Sequence, residues 1–239
     1  MLRVLWYKII FIFLIHLFSI AVFSQEKNRS YNYFKFNKKS HYFGLTLGYN
    51  QSSFKVEHSK NLIQSPVYRI NEGISVPGLT LSMITNFKIG DYFDFRILPS
   101  ISLSYRRLLY QPLTAGAPAK EDLFEFVFGE LPMLIRFTSS PYKDKRVFFL
   151  TGVKYSYDFA SNSRANKEKF KIVRLSPHDF QFEIGAGMQF FLPFFIFSPE
   201  IKFSHGLSNL LFYDAKLSES TIIDKLFSKC LTISLHFEG

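Results

Sequence analysis

Hydrophobic and polar residues alternate along most of the chain, and the alternation is clearest between His178 and Leu210. Phe180, Phe182, Ile184, Ala186, Met188 and Phe190 take one parity, while Asp179, Gln181, Glu183, Gly185, Gly187 and Gln189 take the other. A period of two puts such sets on opposite faces of a β-strand. After a break at Leu192-Pro193-Phe194 the pattern resumes, with Phe195, Phe197, Pro199, Ile201 and Phe203 against Ser198, Glu200, Lys202 and Ser204. The stretch reads as a long antiparallel hairpin with one aromatic face and one face of charge and glycine. A soluble sandwich also alternates, but each arm has about the 9 to 11 tilted residues that a membrane-spanning strand needs.

The same period predicts six further strands. The first runs from Tyr42 to about Gln51, the second from Val76 to Ile89, and the third from Tyr92 to about Leu108. The fourth, Phe124 to Ser139, changes phase: Phe124, Phe126 and Phe128 share one parity, whereas Leu131, Met133, Ile135 and Phe137 share the other. One extra residue flips parity, so a β-bulge near Gly129 is expected. The fifth strand covers Val147 to about Ala160, and the eighth alternates Leu231, Ile233, Leu235 and Phe237 with Cys230, Thr232, Ser234 and His236. Long polar connections at 52–75, 110–123, 161–177 and 206–225 alternate with short turns at 90–91, 139–146 and 192–194. Eight strands linked in that rhythm predict a closed, antiparallel, up-and-down transmembrane β-barrel with short periplasmic turns and longer external loops.

Composition supports strands over helices. Of 239 residues 18% are aromatic, with 30 Phe and 13 Tyr, and the apolar residues are spread along the strands. Beyond residue 25 no apolar run reaches the roughly 18 residues of a spanning helix. The start of the chain differs: Arg3 and Lys8 precede an apolar run from Ile9 to Phe23, and Val22 and Ser24 set up a small-residue cleavage site. Residues 1–24 are therefore expected to be a signal peptide, 25–40 a basic periplasmic lead-in, and 41–239 the barrel. The formal charge of +10 falls to +8 once the leader's Arg3 and Lys8 are removed. The basic residues are scattered and the chain is exported, so the expected partners are outer-membrane lipid and lipopolysaccharide, with no nucleic acid. Cys230, the single cysteine, permits no internal disulfide and reads as a small filler in a strand.

An eight-stranded barrel is just wide enough to be filled by its own side chains, which excludes a porin. The parity of each strand sends Asp94, Arg96, Arg106, Glu130, Arg136, Lys154, Asp158, Glu183, Glu200 and Lys202 into the lumen. Both signs are present, so these residues are expected to pair as a polar network that stiffens the barrel. Gly185 and Gly187 should leave room for lumenal bulk. Catalytic patterns are weak by comparison. His41, His58, His178, His205 and His236 show no metal-binding helical spacing, and Ser204 and His205, as strand neighbours, point to opposite faces. The chain is expected to be non-enzymatic and to use no cofactor or metal.

Four segments carry a resemblance: FGLTLGYN at 43–50, YFDFRILPSISLSYRRLLY at 92–110, GELPMLIRF at 129–137 and FSPEIKFSHGLSNLL at 197–211. They resemble the PorT family of small Bacteroidetes outer-membrane barrels, also called SprT in gliding bacteria, over nearly the whole mature chain. The resemblance implies a component of the type IX secretion system, supporting export across the outer membrane and gliding motility, with other secretion subunits as partners. Three other readings stay open. They are a structural or ligand-binding barrel without a secretion role, a lipid-modifying barrel enzyme, and a soluble lipocalin-like barrel with its greasy face inward. The C-terminus departs from the final aromatic residue common in such barrels, since Phe237 is followed by Glu238 and Gly239.

Overall fold

The computed structural model describes residues 31–58, 68–112, 120–161, 174–212 and 223–239. The leader at 1–24, the first part of the lead-in and the four loop tips lie outside the described residues. A short helix, α1 (Tyr31–Asn37), precedes β1 (His41–His58), β2 (Tyr68–Lys88), β3 (Phe93–Ile97), β4 (Ser100–Pro112), β5 (Lys120–Thr138) and β6 (Lys145–Asp158). Then follow β7 (Arg174–Leu175), β8 (His178–Phe191), β9 (Ile196–Gly206), β10 (Leu211–Phe212) and β11 (Ile223–Glu238).

The large strands pair antiparallel in the order β1, β2, β3 with β4, β5, β6, β8, β9, β11, and β11 pairs back with β1 to close a ring of eight staves. Closure removes every sheet edge within the ring. β3 and β4 are one stave interrupted at Leu98-Pro99, where proline has no N–H for the ladder. Register against β5 continues across the break, from Ile97 opposite Met133 to Ser100 opposite Glu130, so the parity of the charged residues is preserved. The two short strands β7 and β10 pair with each other as a separate two-stranded sheet among the loops.

The alternation read from the sequence separates outside from inside over the middle of every stave. Leu45, Leu47, Leu81, Met83, Ile101, Ile135, Phe149, Ile184, Ile201 and Ile233 are all exposed on the outer surface. Tyr92, Phe93 and Phe137 cluster at the turn end of this band, and Tyr155, Tyr157 and Phe180 at the loop end. Apolar bands flanked by aromatic residues match a bilayer core and its two interfaces.

The expected bulge at Gly129 does not form. β5 runs without a register shift against both neighbours, Gly129 facing Ile101 on one side and Tyr157 on the other. Phe124, Phe126 and Phe128 instead point inward, each no more than 4% exposed. The staves are also longer than predicted, 18 residues in β1, 21 in β2 and 19 in β5. Both findings have one cause. Toward the loop end the outer surface leaves the apolar band and presents Lys55, Arg107 and Glu125, so apolar side chains there gain by turning into the lumen. Phe54, Leu108, Phe124, Phe126, Phe128, Leu210, Leu211, Ile223 and Leu226 form this inner apolar cluster. The strand stays strictly periodic, with even positions inward throughout, while the face that carries the apolar residues changes along it.

Candidate functional site

The lumen is the place where the sequence concentrates its chemistry, and the structure arranges it in layers. The layer nearest the short turns is the densest. Arg136, from β5, donates through Nε to Asp94 of β3 at 3.0 Å, also bonds Tyr42 of β1, and lies 3.8 Å from Glu238 of β11. Arg96 pairs with Glu238 at 2.8 Å, donates to Asn86 at 3.1 Å and stands 4.0 Å from Glu200. Arg146 is 3.8 Å from Asp94 and donates to Gln189 at 2.6 Å, while the Gln189 amide donates to Glu238 at 3.1 Å. His236 approaches Glu200 at 3.1 Å through Nε2 and meets the Thr46 hydroxyl at 2.6 Å through Nδ1. Three guanidinium groups thus face three carboxylates, in a dry interior where each charge needs a partner.

The middle layer is a second balanced set. Glu183 of β8 binds Lys202 at 3.1 Å and Lys154 at 3.3 Å and accepts from Ser204 at 2.7 Å, and Lys154 also reaches Glu130 at 3.4 Å. Beside it a cavity of about 20 Å³ is bounded by Glu130, Lys154, Glu183, Lys202 and several hydroxyls. That is room for about one water molecule. Next to it along the same strands lies an apolar cluster, with Ile84, Leu98, Leu134, Phe148 and Leu150 in contact. Gly185 and Gly187 sit against it: a Cβ at Gly185 would lie 3.2 Å from Leu150, and one at Gly187 would run into the Phe148 ring. The glycines therefore make room for lumenal bulk, as their place in the strand implied.

Toward the loops the polar interior gives way to the apolar cluster, and Arg106 marks the boundary. Its side chain is 4.0 Å from Asp179, while Nε and Nη1 have no hydrogen-bond partner among the described residues. Its guanidinium lies instead 5.0 to 5.3 Å from the ring centres of Phe54, Phe126 and Phe128. Desolvated cation–π contacts of this kind contribute about 2 kcal/mol. Asp158 accepts the backbone amides of Val127 and Ala160 at 3.4 and 3.0 Å, joining β5 to the end of β6.

The other mouth is covered by α1. Tyr33 and Phe36, three residues apart on one helical face, pack on Phe191 and Ile196. Asn32 donates to the Phe191 carbonyl at 3.1 Å, Lys88 donates to the Phe36 carbonyl at 3.0 Å, and the Tyr33 amide donates to Asp144 at 2.9 Å. Burial holds the Tyr33 phenol above its ordinary pKa, with the Arg146 guanidinium opposing that shift. The described part of the segment expected only as a lead-in, Tyr31–Asn37, thus supplies a cap.

A family model of the outer membrane protein beta-barrel domain matches residues 23–211. The chain belongs to this family. The barrel therefore sits in the outer membrane. A comparison with curated proteins gives no match. Among solved structures the barrel is similar to Ail, the attachment invasion locus protein of Yersinia pestis, with 12% identity, 84% of this chain and 100% of that one covered, and a TM-score of 0.37. It is also similar to the outer membrane protein OprG of Pseudomonas aeruginosa, with 13% identity, coverage of 83% and 95%, and a TM-score of 0.43. For Neisserial surface protein A the figures are 8% identity, coverage of 82% and 96%, and a TM-score of 0.40.

All ten charged residues assigned to the barrel interior from strand parity point into it, but as separate layers rather than one network. Four further members were missed: Arg146, Asp179, Glu238 and the ring of His236. Each shares the inward parity of its strand, so the period itself carried the signal. Arg146 fell one residue before the predicted start of its strand, and Glu238 was read as a tail beyond the last aromatic. Ser204 and His205 are separated as expected, the first bonding Glu183 inside and the second tilted against Phe227, 6.2 Å between ring centres.

Proposed function

We propose that this outer-membrane barrel is exported by a cleaved N-terminal signal peptide and acts without catalysis or conduction, through its surfaces, as a PorT-like component of type IX protein secretion. The observation that carries the surface-acting part is the filled interior: balanced charge layers, an apolar cluster at the loop end and α1 across the periplasmic mouth. A lumen so filled offers neither a solute path nor a substrate cleft, and leaves the loops, turns and rims as the working parts. The secretion part is supported by the resemblance of the Gly129–Phe137 and Phe197–Leu211 segments to that family. In this reading the partners are other secretion subunits together with membrane lipid.

The decisive experiment is the secretome of a deletion strain. Cargo trapped in the periplasm, restored to the medium by the intact gene, is the expected result. Normal secretion with altered envelope integrity or adhesion would remove the export role and assign a structural or ligand-binding barrel. A changed lipid A profile would assign a lipid-modifying enzyme. The purified barrel in a planar bilayer should show no steady ion conductance.

A further inference from the structure

A cleft of about 280 Å³ opens on the outer surface of the barrel at its turn-end rim, lined by Ser139, Ser140, Tyr142, Lys145, Arg146, Val147 and Met188. That is close to the lower end of the volumes typical of ligand pockets, about 300 Å³. Its construction follows from the β5–β6 turn. Tyr142 and Lys145 bridge each other across a two-residue turn made by Lys143 and Asp144. The Val147 amide donates to the Ser139 hydroxyl at 3.2 Å, which holds the segment before the turn beside β6. Val147 and Met188 are direct cross-strand neighbours on the lipid-facing side, and Lys145 stands opposite Phe190 one row nearer the periplasm.

The cleft therefore has an apolar floor continuous with the membrane-facing band and a polar, cationic wall at headgroup level. Its charge is one-sided. Lys145 in the lining and Lys143, which adjoins the cleft on the turn, make no ion pair among the described residues, and their ammonium groups lie over Phe190 and Tyr142 at 5.5 and 5.4 Å. Asp144, the acid of the turn, faces inward to accept the Tyr33 amide. From the volume of the cleft, its position at the lipid boundary and the charge, and with the short turns periplasmic as in the proposed function, we infer that this cleft holds one glycerophospholipid of the periplasmic leaflet. Its phosphate lies between Lys143 and Lys145, its glycerol oxygens face the Ser139 and Ser140 hydroxyls, and an acyl chain runs over Val147 and Met188. Lysine suits this task as a flexible point charge for phosphate.

Native mass spectrometry of the purified full-length mature barrel, titrated with phosphatidylglycerol, tests the inference. Three variants are compared: Lys143→Ala with Lys145→Ala, the cleft-filling Met188→Trp, and Lys55→Ala with Lys229→Ala at the opposite rim as a matched loss of charge. Diacylglycerol with the same chains and soluble glycerol 3-phosphate serve as the phosphate-free and lipid-free probes. One phosphatidylglycerol should be retained by the wild type and by the opposite-rim variant, with at least about fivefold weaker retention in the other two and in both control probes. Each variant is scored on its heat-modifiable, folded band. Equal retention of diacylglycerol, equal binding of glycerol 3-phosphate, or equal losses in the two double-lysine variants would each overturn the site. So would unchanged retention when both Lys143 and Lys145 are removed.

Discussion

Glu238 offers the sharpest test of the charge layers. Its carboxylate is 1% exposed, holds Arg96 at 2.8 Å and Arg136 at 3.8 Å, and accepts from Gln189 at 3.1 Å. Glu238→Ala leaves three guanidinium groups facing two carboxylates in a closed interior. Breaking a buried pair by removing one partner costs about 3–5 kcal/mol, because the surviving charge stays desolvated. Glu238→Gln removes the charge but keeps an acceptor for Arg96, so the loss should be nearer the roughly 1.5–3 kcal/mol of a charge-assisted hydrogen bond. Truncation after Phe237 should cost more than the alanine variant, because it also removes the backbone pairing of Glu238 with Gly44 and Ile196 and the bond from the Gly239 amide to the Phe43 carbonyl. The single tryptophan, Trp6, lies within the proposed signal peptide, so a chain cleaved there would offer no tryptophan signal. Unfolding is better followed in urea by the heat-modifiable gel shift, with midpoint and slope converted to free energy. A second step, Arg96→Ala on the Glu238→Ala background, should recover part of the loss, with a coupling of about 0.5–3 kcal/mol. An alanine variant within about 1 kcal/mol of wild type, at unchanged slope, would refute the pairing argument.

The remaining predictions concern other parts of the interior. Glu200→Ala should lower the unfolding temperature in detergent, because His236 and Arg96 both lean on that carboxylate; an unchanged melting curve would take Glu200 out of the network. Gly187→Val should fold poorly or melt early, since the new side chain meets Phe148 and the Pro199 carbonyl; Gly90→Ala should also lower stability although the space around it is open, because Gly90 holds a φ of +147° that a residue with a Cβ rarely adopts. Phe126 stacks on Phe128 at 5.0 Å and lies under Arg106, so Phe126→Ala should cost about 3–5 kcal/mol in the urea titration. A loss below about 1 kcal/mol would mean that the cluster at the loop end does not hold the barrel.

Much of this architecture was written locally. The alternation at Phe180 to Phe203 and in six further segments implied eight spanning strands, and the connection lengths implied their up-and-down order. The inward set from Asp94 to Lys202 followed from parity alone, because a strand side chain can point only to one face or the other. Arg146 and Glu238 were within reach of the same rule and were lost at strand ends, where period and tail look alike.

Three matters needed the closed ring. Parity names two faces but not which environment each one meets, and for Phe124, Phe126 and Phe128 the answer changes along a single strand as the outer surface passes from lipid to water. Pairing partners depend on curvature and register: Arg96 reaches Glu238, 142 residues away, only because β11 closes on β1. The cap formed by α1 likewise exists because Phe191 and Ile196 sit at the mouth beneath Tyr33 and Phe36. Periodicity is a property of neighbouring residues and survives in sequence, whereas charge balance, a filled lumen and a sealed mouth are properties of the circumference.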